Sequence, residues 1–148
     1  MQLSGQFTYD ADQETVWNLL LDPDVIANAL PGVDEFVPLD GEKDAWSAIV
    51  KIGVATVRGT YTGTVRISEV DFPSQYRLTV SGEGQQSIVS GTAVMNLTYD
   101  AVQQKTVLTW EADAHVSGRL ARVGQRLIKA AANLMSKQFF QAVAKQLP

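Results

Sequence analysis

Very few side chains in this sequence are of a type, and at a spacing, that supports catalysis. His115 is the single histidine, and it follows Glu111 and Asp113 in the run Leu108 to Val116, where polar and apolar residues alternate. Such alternation puts all three polar residues on one face of a strand and turns the imidazole toward water, where no Ser/His/Asp set can be assembled around it. Glu111 and Asp113 also have the spacing of a two-carboxylate cation site, but an exposed acidic strand explains the pair without a metal. Cysteine is absent, which removes disulfides, thiolate nucleophiles and the common zinc clusters together. Gly82-Glu83-Gly84-Gln85-Gln86-Ser87 spaces its small residues like a dinucleotide loop; no helix follows it, so it reads as a hairpin. Asn96-Leu97-Thr98 has the form of a glycosylation acceptor but falls inside a strand. No catalytic residue, metal ligand or cofactor is expected.

Charge is distributed unevenly. All sixteen acidic residues lie at or before Asp113, together with six of the twelve Lys and Arg. The other six, Arg119, Arg122, Arg126, Lys129, Lys137 and Lys145, follow with no acid among them. This asymmetry suits a surface that meets anionic membrane or an acidic partner, and equally a basic helix that pairs with its own acidic body. Without aromatic platforms, the basic stretch predicts no nucleic-acid binding. Met1 to Gly5 has neither the basic start nor the apolar run of a signal peptide, and no stretch approaches the ~20 apolar residues that span a bilayer. A cytoplasmic protein is expected.

The elements that would position a site follow from periodicity. Leu3, Gly5, Phe7 and Tyr9 alternate with polar residues, which predicts a strand over 2–9. Asp10 and Gln13 resemble a capping box for a short helix carrying Val16, Leu19 and Leu20, and Asp22-Pro23-Asp24 opens another over Val25 to Leu30. Six strands are then expected at 33–39, 44–52, 55–70, 75–83, 87–99 and 105–116, joined by short turns and hence antiparallel. Their inward sets include Trp46 and Ala48; Tyr61, Gly63 and Val65; Tyr76, Leu78 and Val80; Val89, Gly91, Ala93 and Met95; and Trp110, Ala112 and Ala114. One unbroken helix is predicted from Arg119 to Leu147, about 43 Å long at ~1.5 Å per residue. Leu120, Val123, Gly124, Leu127, Ile128, Ala131, Leu134, Met135 and Phe139 form its apolar face, and Arg122, Arg126, Lys129, Asn133 and Lys137 its basic one.

Together these make one domain over residues 1–148 of the α+β class with a helix-grip layout: a seven-stranded curved antiparallel sheet wrapped around a long C-terminal helix, with two short helices after strand 1. Many inward positions are small. A coiled sheet curves away from a straight rod, so the space above Gly63, Gly82, Gly91 and their neighbours is either a pocket or a filled core; alternation alone fits both.

Several fragments in order, Val16-Trp17, Asp22-Pro23-Asp24, Leu30-Pro31-Gly32, Tyr61-Thr62-Gly63-Thr64-Val65, Ser81-Gly82-Glu83-Gly84, Val116 to Ala121, Val123 to Ile128 and Gln138-Phe139-Phe140, resemble the G-subunit family of carbon monoxide dehydrogenase from Met1 to about Ala144. The resemblance implies a START-like, polyketide cyclase-like helix-grip domain. It further implies a non-catalytic accessory protein associated with the cytoplasmic membrane and with a molybdenum-dependent carbon monoxide dehydrogenase or related oxidoreductase, in a role that binds or shuttles a membrane quinone. Some relatives continue into a membrane-attaching tail, whereas this sequence stops at Leu147-Pro148, so stable anchoring is not expected.

The expected ligand site is entered between the long helix and the Leu30-Pro31-Gly32 loop and is lined by Leu30, Pro31, Trp46, Tyr61, Leu78, Met95, Trp110, Leu127 and Met135. The expected partner or reversible membrane contact, at the inner face of the cell membrane, comprises Arg122, Arg126, Lys129 and Phe140. The wheel places Phe140, Val143 and Leu147 on or beside the basic face, where either a lipid surface or the N-terminal helices would cover them. Two other functions compete with that of a lipophile carrier: a polyketide cyclase-like enzyme, which needs polar groups inside the cavity, and an assembly factor that grips an oxidoreductase subunit through the basic helix.

Overall fold

Pairing of sequence neighbours builds a single antiparallel sheet of seven strands, ordered β1-β7-β6-β5-β4-β3-β2, in the computed structural model, which describes residues 1–148. The strands are β1 (Gln2–Tyr9), β2 (Val33–Pro38), β3 (Ala45–Ile52), β4 (Gly59–Asp71), β5 (Gln75–Gly84), β6 (Ser87–Asp100) and β7 (Lys105–Gly118). Helices α1 (Gln13–Leu20) and α2 (Pro23–Ala29) follow β1, and α3 (Gln125–Ala144) closes the chain. The seven strands, two short helices and C-terminal helix are those read from the sequence. Strand ends differ by one or two residues, except that Ala55–Val57, expected to begin a strand, forms a 3₁₀ turn ahead of β4.

Local caps explain the helix starts. Asp12, not Asp10, caps α1, accepting from the Thr15 backbone N–H and hydroxyl. The Thr15 hydroxyl, chiefly, holds the Asp12 carboxyl below its ordinary range. Gln13 is therefore free to bond elsewhere, and its amide donates to Pro73 O at 2.9 Å and Leu97 O at 3.2 Å, tying α1 to the sheet. Asp22 caps α2 with Pro23 in the first turn.

The unbroken 43 Å helix is not observed. Gly118 and Gly124 both take positive φ, at 84° and 98°, and bracket a 3₁₀ turn at Arg119–Val123. Ser87 Oγ accepts the Leu120 backbone N–H at 2.7 Å, and Gln86 O accepts that of Arg119 at 3.1 Å. These bonds hold the turn against the start of β6 and delay α3 to Gln125, leaving a helix of twenty residues, about 30 Å long.

Register divides the concave face into cross-strand rows. Tyr76, Met95 and Trp110 stand opposite one another with Gly5, and Leu97 and Leu108 with Phe7. Apart from half-buried Gly5 and Phe7, the residues of these rows are large and buried, and with Trp17, Leu20, Ile26, Phe140 and Val143 they form the core. Trp17 meets Tyr76 edge-on at 5.5 Å, and Tyr9 Oη donates to Phe140 O at 3.1 Å. Further along, Ala48, Gly63, Gly82, Val89 and Val116 make one row, and Trp46, Val65, Val80, Gly91 and Ala114 the next. Apart from Trp46, this second region is built of small or medium side chains.

Candidate functional site

The second region is open. Val80 faces the concave side, in line with buried Tyr76, yet is 40% exposed; Val65, Val89, Gly91, Ala114 and Val116 around it are half-buried. A side chain at Gly91 would meet only ordinary contacts, the nearest being Asp113 O at 3.5 Å and Ala114 Cβ at 3.7 Å. One at Gly82 would touch Thr62 O alone, at 3.4 Å. Space therefore stands above both glycines. The whole surface agrees: 8470 Å² is accessible, against about 7,400 Å² for a compact monomer of this mass.

Helix α3 crosses this face as a bar. Its near neighbours are α2, β1 and the 55–57 turn. Phe140 and Val143 sink into the closed half near its C-terminal end, with Phe140 6.1 Å from Phe7 and 6.5 Å from Trp110 between ring centres. Ile128 and Ala131 are its buried residues nearer the start, while Leu127 on its flank is 46% exposed.

Where the open half meets the 119–123 turn lies a cleft of about 430 Å³. Val57, Tyr61, Leu120 and Val123 supply its apolar lining. Arg58, Arg119 and Arg122 line it as well, with Gln85 and Ser87. Two of its three hydroxyls are already engaged: Tyr61 Oη donates to Val57 O at 2.8 Å, and Ser87 Oγ donates to Gln85 O at 3.2 Å while accepting from Leu120; the third belongs to Thr56. Burial raises the Tyr61 phenol above its ordinary value, so this ring stays neutral. Gln85 and Gln86 turn the hairpin with φ of 53° and 57°, an unusual conformation for side chains other than Gly or Asn.

This open-sheeted architecture has close counterparts, and the sequence matches the family described as the G subunit of carbon monoxide dehydrogenase (CoxG) over residues 5–148. The chain belongs to the CoxG family. A conserved protein from Geobacillus kaustophilus superposes with a TM-score of 0.92 at 31% identity, with 99% of this chain and 95% of that chain covered. A START superfamily protein from Mycobacterium smegmatis (TM-score 0.70, 12% identity, 99% and 96% covered) shares the fold. So does the AHSA1 protein from Silicibacter pomeroyi (TM-score 0.69, 10% identity, 99% and 97% covered). No curated protein matches the chain.

In this CoxG-family chain the residues expected to line a ligand site do not form one wall. Trp46, Met95 and Trp110 belong to the packed core, Trp46 stacked on Phe36 at 5.5 Å. Leu30 and Leu78 are half-buried against that core, Pro31 and Met135 are also half-buried, and Leu127 lies on an exposed flank. Tyr61 alone of the set lines the cleft. Phe140 corrects the expected surface contact: at 6% exposure it cannot touch a membrane or partner. The N-terminal part of the chain covers it and Val143, because the buried arc of α3 is rotated toward β1. Arg122 and Arg126 are exposed and Lys129 is half-buried.

The basic stretch does not pair with the acidic body. Lys51 pairs with Asp34, Arg66 with Glu42 and Arg77 with Glu69, but no Lys or Arg from residue 119 onward forms an ion pair. Arg58 was not singled out by any sequence motif; the fold brings it to Arg119 and Arg122, which stand three residues apart in one turn. No helix is long and apolar enough to cross a membrane.

Proposed function

We propose that this protein is a ligand-binding accessory protein that holds a lipophilic molecule on the open half of its concave face. Exposure of Val80 on the inner side of the sheet carries this reading: apolar surface turned toward a covering helix, yet wet, lowers its free energy when an apolar guest displaces the water. Burying each aliphatic or aromatic group contributes about 1.5–3 kcal/mol, so a few contacts reach micromolar affinity after association costs. Membership of the CoxG family supports a role beside a carbon monoxide dehydrogenase-type molybdenum oxidoreductase, with a membrane quinone as the first candidate guest. Mass spectrometry of lipid extracted from natively purified protein, together with titration of a soluble quinone analogue, tests the proposal. A bound lipophile and saturable uptake are expected; neither appearing would overturn it.

The unpaired cations of residues 119–145 favour a second role, contact with an acidic oxidoreductase subunit or an anionic membrane surface. Charge reversal at Arg122, Arg126 and Lys129 is expected to abolish partner or vesicle capture while leaving uptake of an uncharged quinone analogue intact. Capture that survives the reversal would remove this role. A cyclase-like reaction has little to draw on, since the Tyr61 and Ser87 hydroxyls are bonded within the protein and no acid or histidine lines the cleft.

A further inference from the structure

The cleft beside the 119–123 turn has a neighbour. A second space of about 400 Å³ is lined by Gln86, Gly118, Arg119 and Arg122, with no apolar residue among them. Arg119 and Arg122 thus border two spaces of opposite character, one with an apolar floor of Val57, Tyr61, Leu120 and Val123 and one wholly polar. Arg58 joins them on the apolar side. None of the three has a carboxylate within ion-pair distance, and no Asp or Glu lines either space. Like charges gathered without a counter-ion repel, and an anion placed among them relieves that repulsion.

We propose that Arg58, Arg119 and Arg122 form a headgroup site for a phosphate-bearing amphiphile whose apolar tail runs from the cleft onto the open half of the sheet. The inference rests on the reading that this half takes a lipophile, and it adds to the quinone candidate a class of lipophile with an acidic head. Three features of the site point that way. Guanidinium groups present planar forks that bond oxyanions two at a time, and a phosphate offers enough oxygens to engage more than one fork. The three guanidinium groups are the only charged groups lining either space, and the hydroxyl protons of Ser87 and Tyr61 are spent on Gln85 O and Val57 O. The turn carrying Arg119 and Arg122 is also fixed in advance, by the Leu120 N–H bond to Ser87 Oγ and the Arg119 N–H bond to Gln86 O, so little ordering cost falls on binding.

The test uses the full chain and four probes: a short-chain phosphatidic acid kept below its micelle threshold, the diacylglycerol with the same tails, inorganic phosphate, and vesicles of phosphatidylglycerol with phosphatidylcholine. Calorimetry is expected to show one-to-one binding of the phosphatidic acid about tenfold or more tighter than of the diacylglycerol. Arg119→Gln with Arg122→Gln should erase that ratio by bringing phosphatidic acid affinity down to that of the diacylglycerol. Gly91→Leu should weaken both lipids by obstructing the tail. Equal affinity for the two lipids in the unaltered protein overturns the headgroup site and leaves the carrier reading standing. Inorganic phosphate binding as tightly as phosphatidic acid overturns the amphiphile. Adhesion to vesicles without removal of lipid, and with no binding of the monomeric lipid, overturns it in favour of membrane docking. Failure of both lipids to bind overturns the proposal, and uptake of the quinone analogue decides the carrier reading separately.

Discussion

The two halves of the concave face are built on the same strands with the same alternation, yet one is sealed and the other wet. Near α1 and α2 the inward rows are Tyr76, Met95 and Trp110, then Leu97 and Leu108, and Phe140 and Val143 of α3 complete that core. Toward the 119–123 turn the rows fall to Gly63, Gly82, Val89, Gly91 and Ala114. Inward orientation is thus a property of the strand, whereas burial depends on what lies above it. The fold concentrates its stability in one half and leaves the other free to bind.

If the halves differ in this way, truncation should cost very different amounts on the two sides. Leu108→Ala, in the closed half and 0% exposed, is expected to lose about 2–5 kcal/mol. Val89→Ala, half-buried in the open half, should lose less than about 1 kcal/mol. Urea denaturation of both variants checks the contrast, and similar losses would mean that the open half is packed after all. Glycines should divide in the same way. A Cβ at Gly5 would lie 2.6–2.7 Å from the Trp110 indole, so Gly5→Ala must displace a core ring and is expected to cost about 1–3 kcal/mol, seen as a lowered Tm. An unchanged Tm would contradict the tight closed half.

Alkaline pH sharpens the comparison further. Burial pushes the Tyr9 and Tyr76 phenols, both in the closed half, well above their ordinary value of 10.0, with the Tyr76 charge adding to the effect at Tyr9. The folded state therefore keeps protons that the unfolded chain gives up. Stability from this source is complete below pH ~10 and falls as pH rises above it. The urea midpoint should hold steady from neutral pH to about pH 9 and then drop, and Tyr76→Phe should make the drop shallower. An unaltered slope in that variant would show that the fall has another origin.

Much of this was legible in the sequence, and the limits were physical. Strand alternation gave the sheet and its inner face because period two is a local property. Even the gradient was written there: along β6 the inward residues run Val89, Gly91, Ala93, Met95, Leu97, from small to large. The division of the ligand wall was missed because alternation reports direction and not depth, so Met95 and Trp110 looked like lining and are core. Gly124 was misread because its place on the wheel fits an inward small residue, while its positive φ depends on a turn held by Ser87, 33 positions before Leu120. Phe140 shows the same limit on a helix. A wheel gives angles between side chains, but β1 and α2 decide which arc is covered. Arg58 meets Arg119 and Arg122 only through pairing of distant segments.

The proposed binding by the open half depends above all on apolar space standing free over Gly91. Titrating an apolar fluorescent quinone analogue into the unaltered protein and into Gly91→Leu, alongside a melting curve for each, addresses it directly. The leucine is expected to fill the space: uptake falls by about tenfold or more while Tm stays level or rises. Undiminished uptake by a folded variant, or a collapse of Tm from forcing a side chain into an interior already full, would contradict it.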